Sequence, residues 1–408
     1  MIRLNRIRDR RQSSAAARAI ASRIGQNHVR RLRGWEPFAH LNASSLALTG
    51  FHVDSPTKAV NLVVPSISAD QIFAGVRTAI VFAAGLAERL RLPLRVVVLA
   101  HSTAKPRDSG AVSEIAGLPV TIVSAWQSGW SASRDDLWVA TYWTTAHALY
   151  VAERAGLINL RQAIYLVQDY EPSFFPASTE SSLSRATYGH GFTTVVNSVP
   201  LSKYLDSQGV AKFDEALVFA PELDRSSLQK VSASRVHADV IRIGFYGRPS
   251  KPRNAFGLGV AAIKLAASEF GRRGIDVQMY SMGEPHSPIS TELGDVASLG
   301  RLSWPAYYDQ LGETDIVFAL QQTPHPSHLP LDAVLSGARA VTNEVGESRA
   351  RLHPRWAASD DSPEKLAAAL VATAMAARHE GPAVYDEEFL EQLGRPLNTV
   401  LDRLSKGL

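Results

Sequence analysis

Residues 163–180 read AIYLVQDYEPSFFPASTE. The first five are apolar without alternation. The character then changes abruptly to Gln168-Asp169-Tyr170-Glu171-Pro172, followed by Phe174, Phe175 and Pro176. A strand with one wet face alternates apolar and polar residues. An unbroken apolar run implies cover on both faces, the condition of a parallel sheet inside an α/β layer. Ligands of such open sheets collect beyond the carboxyl ends of the strands. This strand therefore delivers two carboxylates and three aromatic rings to the place where chemistry is expected.

The same grammar extends in both directions. NLVVPS (61–66), LRVVVLA (94–100), LPVTIV (118–123), LWVATYW (137–143) and TTVVNS (193–198) read as further buried strands, with helical periodicity over 70–90, 145–155 and 200–208. A polar stretch, 221–239, reads as a linker. A second series follows: IRIGFYGR (241–248), a helix near 256–272, VQMYSMG (277–283), DIVFAL (315–320), RAVTN (339–343), an Ala-rich helix over 362–379 and a last helical segment. The length of 408 residues exceeds one ordinary core. The expected architecture is α/β, with two Rossmann-like doubly wound domains at 36–225 and 241–384. Residues 385–408 are expected to rejoin the first domain.

Composition narrows the function classes. Hydrophobic residues make up 45% and charged residues 20%, the balance of a soluble globular protein. The absence of cysteine removes disulfides, thiolate metal sites and thiol nucleophiles, and fits a reducing, cytoplasmic compartment. No apolar run reaches the ~20 residues of a membrane span. Residues 1–33 hold ten Arg against the single acid Asp9, a charge of +9, so the remainder sums to −5. This basic N-terminal arm (1–35) reads as a surface helix drawn to anionic lipid at the inner face of the plasma membrane. A disordered tail or a leader is the plain alternative. Nucleic acid is not expected as a partner, because no basic-aromatic surface follows the arm.

Two further strand ends carry chemistry. In FYGRPSKPRN (245–254), Arg248 and Arg253 follow the end of a strand, and guanidinium matches phosphate oxygens bidentately. In QQTPHPSHLPLDAVLSGARAVTN (321–343), a proline-stiffened loop enters a helix, with Pro330 in its first turn. The free amides of that helix start suit an anion, helped by the dipole. His325, Ser327 and His328 add donors beside it, and Asp332 stands ready to accept from a sugar hydroxyl. Solvated arginines and an ordinary rigid loop are the alternatives. No His/Asp/Glu cluster has metal-ligand spacing, and neither GxxxxGK[ST] nor GxGxxG is present. A metal-independent diphosphate site is the expectation.

The order Gly247-Arg248 with a basic residue five on, the turn SLGRLSWPAYYDQL (298–311), then HPSHLPLDAVLSGARAVTN, resembles the nucleotide-binding half of GT-B glycosyltransferases of family 4. With NLVVPS, FAGV and QDYEP it is similar to bacterial rhamnosyltransferases of surface-polysaccharide assembly that use dTDP-L-rhamnose. The resemblance covers roughly residues 60–345. It implies two domains facing a cleft, a nucleotide-sugar donor, an oligosaccharide or lipid-linked glycan acceptor, no cofactor and retention of anomeric configuration. By it, Arg248 takes the diphosphate arginine and Arg253 stands where Lys is usual. Arg301 and Leu302 lie on the turn that meets the nucleoside, Leu329, Pro330 and Leu331 lie over the phosphates, and Asp332 holds the ribose. The family's first Glu falls at Pro324, so that carboxylate is missing. Asp169 occupies the His-Asp position as the catalytic carboxylate, with Gln168 replacing His, and Gly75 lies on the loop approaching the donor. Tyr170, Glu171 and Phe174 would shape an acceptor groove, with loop packing as their alternative. Other open readings are a transferase using a UDP- or GDP-sugar, a GT-B-like epimerase and a non-catalytic binding scaffold.

Overall fold

The computed structural model describes residues 44–67, 74–100, 109–127, 129–211, 213–236 and 239–407. The basic arm and most of the loop at 66–76 lie outside them.

A short parallel pair, β1 (His52–Val53) with β5 (Ser131–Ala132), precedes the main architecture. The first domain is built on β2 (Val60–Val64), β3 (Leu94–Val98), β4 (Val120–Ser124), β6 (Leu137–Ala140), β7 (Ala163–Val167), β8 (Thr193–Asn197) and β9 (Val218–Phe219). They form a parallel sheet in the order β4-β3-β2-β6-β7-β8-β9. The unbroken apolar runs have the predicted cause. In β7, Ala163, Tyr165 and Val167 enter one core while Ile164 and Leu166 enter the other. The first core lies under α3 (Trp143–Arg154) and α5 (Val199–Ser207), next to α4 (Thr179–Thr187). The second lies under α1 (Ala74–Leu90) and α2 (Ser109–Ala116).

The second domain carries β10 (Ile241–Gly247), β11 (Val277–Gly283), β12 (Ile289–Thr291), β13 (Gly294–Ser298), β14 (Ile316–Ala319), β15 (Arg339–Asn343) and β16 (Trp356–Ser359). Their order is β12-β13-β11-β10-β14-β15-β16, parallel apart from the β12–β13 hairpin. Helices α7 (Phe256–Arg273) and α10 (Pro363–Glu380) cover one face. Helices α6 (Arg225–Ser234), α9 (His328–Leu335) and α11 (Glu387–Gln392) pack on the other, beside α8 (Trp304–Glu313).

The stretch read as a linker is largely α6. Asp224 caps it by accepting from Ser227 N at 3.1 Å, and Leu228 and Val231, three apart, are buried in the second domain. Too few apolar positions mark this helix for its periodicity to show in the sequence.

The C-terminal segment divides its allegiance. Helix α11 stays with the second domain, whereas α12 (Leu397–Gly407) packs on α1 of the first. Leu397, Val400, Leu401 and Leu404 are buried there, at ~1.5–3 kcal/mol each for a large aliphatic side chain removed from water. The outgoing and returning chains touch: Ala220 N donates to Arg395 O at 2.9 Å and Arg395 N donates to Val218 O at 3.1 Å. Gly394 permits this approach. Its φ is 152°, and a Cβ would lie 2.4 Å from the Phe219 carbonyl carbon.

Candidate functional site

The carboxyl ends of β7, β10, β14 and β15 converge between the domains, and the residues following them form the site. After β7, the half-buried Asp169 reaches across the boundary. Its Oδ2 accepts from Thr323 Oγ1 at 2.8 Å and Gln321 Nε2 at 3.2 Å, and its Oδ1 accepts from His325 N at 3.4 Å. Tyr170 N completes the set at 2.9 Å. Burial raises the Asp169 carboxyl above its ordinary range, opposed by the Thr323 and Tyr170 hydrogen bonds and by the Arg253 charge.

The rest of that loop lies deeper. Glu171 is 3% exposed and accepts from Trp143 N, the first amide of α3, and from Tyr165 Oη at 3.3 Å. Burial lifts its pKa well above the usual range, opposed by the Trp143 N–H. The carboxylate placed on an acceptor groove thus sits beneath it and caps a helix. Tyr170 is also buried, against Tyr188 and Tyr204. Phe174 is half-buried, stacks on Tyr142 at 6.3 Å and receives the Arg253 guanidinium 4.6 Å above its ring. Arg253 therefore bridges the domains by a cation–π contact.

After β10, Arg248 pairs with Glu284 at 3.3 Å, each side chain 17% exposed. Its guanidinium also donates to Tyr246 Oη at 3.2 Å. The same Glu284 carboxylate accepts from Ser250 N at 3.0 Å and Ser250 Oγ at 2.8 Å. One face of the second domain thus gathers a guanidinium, an amide and a hydroxyl around an anion, here an internal one.

After β14, the loop turns into α9 through Ser327, whose φ of 68° is unusual for a residue with a Cβ. His325 Nδ1 accepts from Ser327 N at 3.0 Å, fixing that turn. Burial, with His328 and Arg349 nearby, holds the His325 pKa at about 3, and burial holds His328 at about 4. Both imidazoles are neutral at pH 7 and supply dipoles rather than charge. Leu329, Pro330 and Leu331 are buried, with both leucines in the core, so α9 offers a ligand its backbone and not these side chains. Asp332 is 5% exposed and accepts from Tyr307 Oη at 2.6 Å; burial pushes its pKa up to about 7. Arg301 is exposed on the turn after β13, and Leu302 packs against the core beside Tyr307.

On the first domain's side, Gln168 Nε2 donates to the Gly75 carbonyl at 2.9 Å, tying the strand end to the start of α1. Nothing in the local sequence marks this tie, nor Gln321 and Thr323 as partners of Asp169. The sequence also conceals Arg349, which is 1% exposed beneath the 321–325 loop. Among the described residues no group of three or more His, Asp or Glu forms a metal site, and no helix is long and apolar enough to cross a membrane.

Two facing parallel-sheet domains, with a site at their strand ends and a helix that returns to the first domain, define the GT-B class. Solved structures share the fold. Anabaena Alr3699/HepE, crystallised with UDP and glucose, superposes with a TM-score of 0.55 at 13% identity, covering 86% of this chain and 98% of that one. The α,α-trehalose 6-phosphate synthase of Burkholderia multivorans gives 0.50 at 9% identity, covering 86% and 98%. Residues 59–198 match the model of the WsaF N-terminal domain and residues 241–371 that of the WsaF C-terminal domain, together about two thirds of the chain. The chain belongs to the WsaF family, whose two domains it carries in order. The O-antigen biosynthesis protein RfbC of Myxococcus xanthus is 34% identical over 215 residues. That match takes in 52% of this chain and only 16% of the much longer relative.

Proposed function

We propose that this protein is a retaining glycosyltransferase of family 4 that moves L-rhamnose from dTDP-L-rhamnose to a glycan acceptor in bacterial surface-polysaccharide biosynthesis. The observation that carries the reading is the approach of Arg253 and the 321–325 loop that leads into α9, on one domain, to Asp169 on the other, with Arg248 following the end of β10 in the same domain as Arg253. A departing nucleoside diphosphate needs fixed positive charge and oriented amides, and their placement before reaction is what lowers a barrier. In the front-face course the leaving phosphate takes the acceptor's proton, so no separate base is needed. Asp169 then stabilises positive charge growing at the anomeric carbon. Asp332 takes the ribose, Arg301 and Leu302 flank the base, and Phe174 with Tyr142 offers the acceptor an aromatic face. The WsaF domains and the RfbC relative support the setting in polysaccharide assembly. Replacement of the family's His by Gln168 is compatible with a donor lacking a C6 hydroxyl.

The test is release of nucleoside diphosphate from dTDP-L-rhamnose, UDP-glucose and GDP-mannose, with and without a glycan acceptor. Acceptor-stimulated release of dTDP supports the proposal. Preference for UDP- or GDP-sugar replaces the donor, and binding of all three without turnover replaces the enzyme by a scaffold.

A further inference from the structure

Arg349 follows β15 and is buried to 1% exposure, yet among the described residues its guanidinium forms no ion pair. It donates instead to four carbonyls: Gln321 O at 3.2 Å, Thr323 O at 2.6 Å, His325 O at 3.1 Å and Asn343 O at 2.9 Å. Three of the four belong to alternate residues of one loop. The donors of those same three residues serve Asp169 on the first domain: the Gln321 amide, the Thr323 hydroxyl and the His325 N–H. One loop therefore gives its backbone acceptors to a buried cation and two side-chain donors and one amide to a carboxylate of the other domain.

We infer that Arg349 is a positioning residue for Asp169: it holds the 321–325 loop in the single conformation that offers three donors across the cleft. This rests on the reading of the cleft as the reacting site. The physical reason is directional. Burying a guanidinium is costly unless partners offset it; here both terminal nitrogens are satisfied by carbonyls while Nε has no partner, and the planar fork of those two nitrogens fixes where the carbonyls must lie. With the carbonyls turned inward, the Thr323 and Gln321 side chains and the His325 amide are presented to the opposite domain. Asp169 heads the opposite charges acting on Arg349, ahead of Glu344 and Asp361. The two charges are thus coupled through the loop between them. A lysine, a compact charge with three donors, cannot satisfy four carbonyls in this arrangement.

The test is a double-substitution cycle, Arg349→Lys and Asp169→Asn, singly and together, in full-length protein. Two quantities are read: the interdomain distance distribution, and turnover of dTDP-L-rhamnose by dTDP release. Because the chain lacks cysteine, spin labels go on Arg154→Cys and Lys264→Cys, both exposed and on different domains. Arg349→Lys is expected to broaden the distribution as much as Asp169→Asn, and the pair no more than either alone. Turnover should fall about tenfold in the natural background, with donor KM almost unmoved, but less than about twofold when Asp169 is already Asn. Additive effects in the cycle, or a lowered melting point with an unchanged distribution, would overturn the inference. Arg349→Gln, which keeps a donating amide but removes the charge and the fork, supplies the same cycle should Arg349→Lys fail to fold. Broadening by Asp169→Asn without loss of turnover would sink the catalytic reading of the cleft while leaving this coupling in place.

Discussion

Replacing Arg248 by Ala separates a diphosphate receptor from a solvated surface charge. A charge-assisted hydrogen bond to a ligand contributes ~1.5–3 kcal/mol, so its loss weakens binding roughly tenfold to 150-fold. The structure places the expectation in the lower half. Arg248 already shares Glu284 at 3.3 Å and Tyr246 Oη at 3.2 Å, and part of its gain on meeting a diphosphate is offset by loosening those contacts. A ten- to thirtyfold rise in Kd for dTDP is therefore expected, about 1.4–2 kcal/mol. The fold should survive, because Glu284 keeps the Ser250 amide and hydroxyl at 3.0 and 2.8 Å. The assay is titration calorimetry with dTDP, beside a thermal melt of each variant. Arg248→Lys, which keeps the charge and loses the fork, should fall between the two. An unchanged Kd with an unchanged melt would show that Arg248 does not meet the phosphates, and the placement of the donor would have to be abandoned.

Asp169→Asn should lower turnover ~10²-fold or more while donor affinity changes far less, because its charge matters most as the sugar becomes cationic; poor binding with normal saturated turnover would make it a ground-state contact. Asp332, with a pKa near 7 in the fold against 3.8 ordinarily, holds its proton more tightly when native, so its contribution to stability is lost as pH rises from about 4 to 7. Asp332→Asn should therefore gain melting temperature relative to the natural protein between pH 5 and pH 8, and a constant difference across that range would refute the assignment. Deleting residues 1–33, which carry +9, should abolish co-sedimentation with acidic liposomes at low salt and leave dTDP binding intact; full-length protein that ignores such liposomes assigns the arm another role.

Much of the fold was legible because burial writes itself into apolar runs. AIYLV is apolar throughout, and NLVV and LRVVV are apolar but for Asn61 and Arg95, since both sheet faces are covered; each became a strand within a residue or two of its expected ends. The β12–β13 hairpin was not legible: ISTELGDVAS holds too few apolar residues for a period, because much of it stays wet. In the site, sequence located the strand-end loops but not the depth of their side chains. Asp169 and Glu171 look alike two residues apart, yet one reaches across a cleft and the other caps α3 from below. Arg349 lies in GESRAR, which reads as a solvated turn. Only the folding of three carbonyls onto it makes it interior, and nothing local encodes that.

The returning helix has a consequence for how the molecule can be made. Leu397, Val400, Leu401 and Leu404 complete the core under α1, so the first domain cannot close when its own strands leave the ribosome. It must wait, with that face uncovered, until the entire second domain and the Gly394 crossing have been translated. Splitting the gene just before α6 would leave the first half without α12 on its α1 face, and the second half carrying α12 without the core it covers.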